Sequence, residues 1–189
     1  GGKKDTTKGG IALSLKQVEL SNVRIIQKDG WIGQDMTVSL SYLNLDADEL
    51  NFDKKKIFIN TLELTDPYFA ILDYEGKRPT NPITPKPKKP IAGELRWNTD
   101  DWDILVNKLV LVNGTFQNDI QTERQPFPYF DGNHLQFASI NATIEHISWQ
   151  KDTISANIKI STKERSGFTV KSLKSKFSFH PEGMIFKNL

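Results

Sequence analysis

A spaced pattern of apolar and polar positions recurs along this chain: apolar, two polar residues, apolar, one residue of either kind, apolar. It reads Leu15, Lys16, Gln17, Val18, Glu19, Leu20, then Ile59, Asn60, Thr61, Leu62, Glu63, Leu64, then Val106, Asn107, Lys108, Leu109, Val110, Leu111. Each copy leads at the same distance into Asn22, Asp66 or Asn113, with Ile25, Phe69 or Phe116 three residues further on. Val170, Lys171, Ser172 and Leu173 write a shorter fourth copy. Repetition at such intervals is how elongated β architectures are encoded, one supersecondary unit being laid down several times. It favours a long surface over a single pocket as the carrier of function.

Elsewhere the pattern alternates strictly. Met36, Val38, Leu40 and Tyr42 alternate with Thr37, Ser39 and Ser41, and Ile154, Ala156, Ile158 and Ile160 with Ser155, Asn157 and Lys159. A period of two predicts strands. Further strands are expected at about 11–20, 22–28, 48–53, 56–65, 68–74, 103–112, 114–120, 134–149, 168–179 and 184–187, separated by turn residues such as Asp29 with Gly30, Glu75 with Gly76 and Lys151 with Asp152. No stretch shows capped helical periodicity; Thr99 to Leu109 has an acidic opening but fits the strand phrase better. The fold class read from this is all-β.

The recurring phrase is not strict alternation. Two polar residues between Ile59 and Leu62 put these side chains on opposite faces of a flat strand. A β-bulge at the polar pair returns them to one face and bends the sheet, and a short strand break would write the same letters.

Composition narrows the picture. The chain has 189 residues, 37% of them hydrophobic and 25% charged, enough to bury a core. Its net charge of +2, from 25 basic and 23 acidic residues, is too small to argue for nucleic acid. Without cysteine, neither disulfides nor thiolate metal sites exist. No apolar run is long enough to span a bilayer. Residues 1–10, with four Gly and three Lys, read as a flexible start.

Residues 77–101 break the pattern: Pro79, Pro82, Pro85, Pro87 and Pro90 fall there among Lys86, Lys88 and Lys89. This reads as an extended, exposed connector between a first segment, 11–76, and a second, 102–189, that continues the same sheet. A basic proline-rich ligand for a partner is the other reading of its composition. Thr122 to Tyr129 is a smaller irregular stretch whose aromatics, with Phe130, are expected to cover an end of the sheet.

Candidate chemistry is sparse. His134, His146 and His180 have no metal-ligand spacing, and the acidic groups at Asp46, Asp48, Glu49 and Asp100, Asp101, Asp103 lack a calcium-loop pattern. Neither a phosphate-binding glycine loop nor a nucleophile elbow is present. The chain is therefore read as a non-enzyme without cofactor or metal.

The repeated phrase, the strand opening at Trp102, Ile104 and Val106, the Phe130 to Leu135 segment, and Lys163, Glu164, Arg165, Ser166, Gly167, Phe168 before another strand resemble the AsmA-like and TamB proteins, in their long Bacteroidetes form. The resemblance covers about residues 11–189, and the Ser166, Gly167, Phe168 turn is its most specific part. It implies an elongated, strongly curved, antiparallel-rich β-sheet with an apolar inner face. It also implies a place in the periplasm, on a longer protein anchored to the inner membrane, with phospholipid as cargo and an outer-membrane β-barrel protein of the assembly type as partner. The expected groove lining is Val18, Leu20, Val38, Leu40, Ile57, Ile59, Leu62 and Leu64 in the first segment. In the second it is Val106, Leu109, Leu111, Ile144, Ile158, Ile160, Val170 and Leu173. About ten strands at about 4.8 Å would give a channel of about 50 Å.

The same alternation is equally the signature of a closed β-sandwich core. That alternative implies an adhesin-like or carbohydrate-binding module using Trp31, Trp97 and Trp149. Open sheet edges would further allow the isolated segment to dimerise edge to edge.

Overall fold

The computed structural model describes residues 16–79 and 96–188; the expectations for residues 1–15 and for Pro82 to Pro90 lie outside them. Every regular element described is a strand: β1 (Gln17–Asp29), β2 (Gln34–Asn51), β3 (Lys56–Thr65), β4 (Tyr68–Asp73), β5 (Asp103–Ile120), β6 (His134–Gln150), β7 (Thr153–Glu164), β8 (Thr169–His180) and β9 (Gly183–Lys187). They form one hydrogen-bonded sheet in the order β1-β2-β3-β5-β6-β7-β8-β9, with β4 bonded to β2 and β5. Close backbone contacts run only between hydrogen-bonded neighbours. All strands thus belong to one sheet by hydrogen bonding, and its interior is small, with Ala47, Ile59, Val106 and Ala142 the buried apolar residues among those described.

β2, β3, β5 and β4 close a four-strand ring of pairings. Within it, β3 pairs with Tyr42 to Asn51 of β2, whereas β4 pairs with Gln34 to Ser39. The two strands therefore share one lane of the sheet, end to end, interrupted only at Asp66 and Pro67. Pro67 cannot donate to a ladder, yet its carbonyl accepts from Thr115 N at 2.7 Å, and Asp66 N donates to Val112 O at 2.9 Å. The sheet is thus eight lanes wide, and the expectation of about ten strands is corrected to that. Three further pairs of expected strands are single elements: 11–20 and 22–28 merge into β1, 36–42 and 48–53 into β2, and 103–112 and 114–120 into β5.

All pairings are antiparallel except those of β3 and β4 with β5. Parallel neighbours require a crossover, which falls between Asp73 and Asp103.

Register explains the recurring phrase. Ile59 lies opposite Ala47 and Leu62 opposite Leu45, so β3 takes three steps where β2 takes two. The extra residue, Asn60, forms a bulge that keeps Ile59 and Leu62 on one face. The neighbouring parallel strand β5 repeats this, Val106 pairing with Ile59 and Leu109 with Leu62. In the short fourth copy, Leu173 faces Ile160 and Val170 faces Thr162, the same three-against-two count.

The recurring Asn or Asp has its own backbone role. Asn22, Asp66 and Asn113 take φ of 54°, 49° and 56°, the left-handed region that these residue types tolerate best after glycine. Their side chains link neighbouring strands. Asn113 Nδ2 donates to Asp66 Oδ1 at 2.7 Å, Ser41 Oγ to Asp66 Oδ2 at 2.8 Å, and Asn113 N to Asn141 Oδ1 at 3.1 Å. The left-handed residues line up across these strands without costing them their partners, so the expected breaks at 21 and 113 do not end β1 or β5. Asn113→Val is expected to cost about 1–3 kcal/mol in urea denaturation, because a β-branched residue resists this backbone. Asn113→Gly, which accepts the same φ, should cost less.

Candidate functional site

Directly opposed residues share a face, so the register can be followed across the sheet. One row runs Val18, Leu45, Leu62, Leu109, Ile144, Ile158. The next runs Leu20, Leu43, Leu64, Leu111, Ala142, Ile160, Leu173. On the other side of the bulge line lies Ala47, Ile59, Val106, Ile147, followed by Leu50, Ile57, Ile104, Trp149, Ile154, Phe179, Met184. These four rows make one continuous apolar face. Only Ala47, Ile59 and Val106 at its centre, with Ala142, are buried, and their apolar neighbours are half-buried.

Thirteen of the sixteen expected lining residues stand in these rows, and the β8 bulge carries Val170 beside Leu173. Val38 and Leu40 do not join them. They lie beyond the Asn/Asp line, Val38 in a separate row with Ile25, Phe69, Phe116 and Phe137. Phe69 and Phe116 stack there at 6.0 Å. Sequence reasoning missed Leu43, Leu45 and Ala47. Their signal is an alternation with Asn44 and Asp46 whose phase is opposite to that of Val38 and Leu40.

The opposite face is mostly polar, with Phe58, Leu105 and Val110 among its residues, and the bulge residues bond across it. Asn107 Nδ2 donates to Asn60 Oδ1 at 3.3 Å, and Asn60 Nδ2 to Asp48 Oδ1 at 2.9 Å. His146, in the matching position of β6, lies 3.1 Å from Asn157 through Nδ1. Two hollows, of about 510 and 370 Å³, are lined largely by residues of this polar face. Among the described residues no cluster of His, Asp and Glu is arranged to hold a metal ion.

One border of the apolar face is covered by Arg96 to Trp102. Asp152, in the turn between β6 and β7, accepts from Trp97 N at 2.8 Å, Asn98 N at 3.0 Å and Arg96 Nε at 3.2 Å. Trp97 then packs on Phe179 with ring centres 4.3 Å apart. Asn98, 1% exposed, bonds to Trp102 through both its amide nitrogen and oxygen. The described end of the expected exposed connector is therefore docked. Trp149 lies in the row between Ile104 and Ile154, its indole N–H buried with no partner among the described residues, while Trp31 sits exposed in the β1–β2 turn.

At the other end of the strands, Arg124 grips Asp131 with two bonds of 2.6 and 2.8 Å and lies 4.0 Å over the Phe127 ring. Phe127 stacks on Tyr129 at 5.0 Å, and Tyr129 and Phe130 are exposed instead of covering the sheet as expected. Arg124 holds the Asp131 carboxyl far below the usual carboxylate range; backbone N–H groups, led by that of Asn98, lower Asp152, and Asn113 lowers Asp66. A carboxylate depressed on folding stabilises above its unfolded pKa, and that stability is lost as pH falls through the folded value. Thermal stability should therefore hold down to about pH 5 and decline below about pH 4. In Asp131→Asn that acid decline should be shallower in thermal melts across pH.

The fold and its face thus define a class: a single all-β sheet with shared bulge positions, carrying rows of apolar residues that run across its strands. Comparison with known proteins finds no matching family model and no match among curated proteins.

Proposed function

We propose that this chain is a non-enzymatic segment of an AsmA-like or TamB-like envelope protein, shielding phospholipid acyl chains on its apolar face between two membranes. The observation that carries the reading is the unbroken apolar face running from β1 to β9 and left half-exposed, with a polar face behind it. Burying one acyl chain of about 16 carbons is worth about 12 kcal/mol, which only a continuous apolar lining recovers. The bulge line and the Asn/Asp line both run across the strands, so bends along them would fold the sheet into a trough whose axis crosses the strands. Eight lanes at about 4.8 Å span about 34 Å, shorter than the 50 Å expected from sequence and a section of a longer path.

The proposed setting is the periplasm, on a longer protein anchored to the inner membrane and working with an outer-membrane β-barrel protein. The carbohydrate-binding reading has less support, because Trp97 packs on Phe179 and Trp149 is half-buried with its indole N–H out of solvent. Solvent extraction and mass spectrometry of the purified protein should find phospholipid bound in stoichiometric amount. Lipid-free protein from a phospholipid-rich host would sink this reading.

A further inference from the structure

The near-neutral charge of the whole chain conceals a polarised sheet. From β1 to β4, residues 17–73 carry ten Asp and Glu against five Lys and Arg. From β7 to β9, residues 153–187 carry seven Lys and Arg against two Asp and Glu. Of those two acids, Glu164 is buried and bonded to Ser166, and the carboxylate that reaches the lysines in register is Glu145 of β6, across Asn157 from Lys176.

On the polar face these lysines meet in register. Lys159 of β7 lies directly opposite Lys174 of β8, and Lys176 of β8 directly opposite Lys187 of β9. Lys174 and Lys176 are two residues apart on a regular stretch of strand, so all four ammonium groups share one face. Like charges placed directly opposite destabilise a sheet. Among the described residues no carboxylate forms an ion pair with any of the four. Lys159, Lys174 and Lys176, with Thr143, Asn157 and Ser175, line the hollow of about 510 Å³, where three ammonium groups outweigh the single carboxylate of Glu145.

We propose that this hollow binds a ligand bearing two or more phosphate groups, whose charge offsets the opposed lysines and whose oxygens accept from them and from Asn157 and Thr143. Charge-assisted bonds to several ammonium groups supply the affinity, and the hollow sets the size. The site lies on the face opposite the proposed acyl-chain surface, so it stands or falls separately from that reading.

The test uses the full chain with two probes: free tripolyphosphate, followed by calorimetry, and vesicles of phosphatidylcholine containing cardiolipin, which carries two phosphates, followed by sedimentation. Binding to at least one probe is expected, weakening as salt rises. Tripolyphosphate binding assigns a soluble source of the phosphate, and vesicle binding alone assigns a lipid headgroup. Lys174→Glu with Lys176→Glu should weaken that binding by about tenfold or more. Lys174→Glu alone should also raise the melting temperature of the ligand-free protein, because Lys159 then faces an opposite charge. Lys54→Glu, in the distant β2–β3 turn, should leave binding unchanged. Failure of both probes to bind, or binding retained by the folded double variant, would overturn the proposal.

Discussion

Replacing Val106 with aspartate is expected to unfold the sheet at neutral pH, with loss of the strand signal in circular dichroism. Val106 is only 8% exposed and packs with Ala47 and Ile59 in the most buried part of the face. Its strand, β5, is held on one side by β3 and β4 and on the other by β6. An unpaired carboxylate there costs about 4 kcal/mol or more, against a total stability of about 5–15 kcal/mol for a typical domain. Few other buried residues exist to compensate. Val106→Ala removes two methyl-sized groups and should cost about 2 kcal/mol while leaving the fold intact. A stable, native-like Val106→Asp protein would contradict the placement of the core.

Arginine at both Leu62 and Leu109 is expected to leave the sheet folded and strip it of phospholipid. These residues are directly opposed on β3 and β5, in the middle of the row from Val18 to Ile158. Both are half-buried, so a long cationic side chain can lie along the face with its head in water. The melting temperature should fall modestly, since two like charges then oppose each other. Two charges in mid-face interrupt the lining for any acyl chain crossing them. Losing contact with only two methylenes already weakens binding by about tenfold, as each contributes about 0.8 kcal/mol. Phospholipid extracted per mole of folded protein is the quantity to compare.

Much of this arrangement can be read from the chain because it is written as spacing. A step of three between Ile59 and Leu62, or Val106 and Leu109, demands a bulge if both face one side, and the register contains one. The regular place of Asn22, Asp66 and Asn113 marks a backbone requirement, since Asn and Asp adopt positive φ more readily than other side-chain-bearing residues. Spacing does not say whether such a residue ends a strand or only kinks it. That depends on whether the neighbouring strands keep their bonds, as Val112 and Thr115 do across Asp66 and Pro67. The parallel pairing of β3 and β4 with β5 joins residues far apart in sequence, and no local pattern encodes it. Alternation along β2 changes phase at Tyr42 and Leu43, next to the Asn/Asp line, so Val38 and Leu40 fall in rows apart from those of Leu43 and Leu45. The opposed lysines became visible only once strand order had placed Lys159, Lys174, Lys176 and Lys187 side by side.

Site-specific photocrosslinking distinguishes the two faces most directly. A photoreactive amino acid is placed singly at Leu45, Leu64 and Ile144 on the apolar face and at Glu63, Thr143 and Asn157 on the polar face, and the folded variants are illuminated in the presence of phospholipid. Acyl-chain adducts at the first three positions and none at the second three are the predicted result. Equal labelling of both faces, or none on the apolar one, would contradict the account.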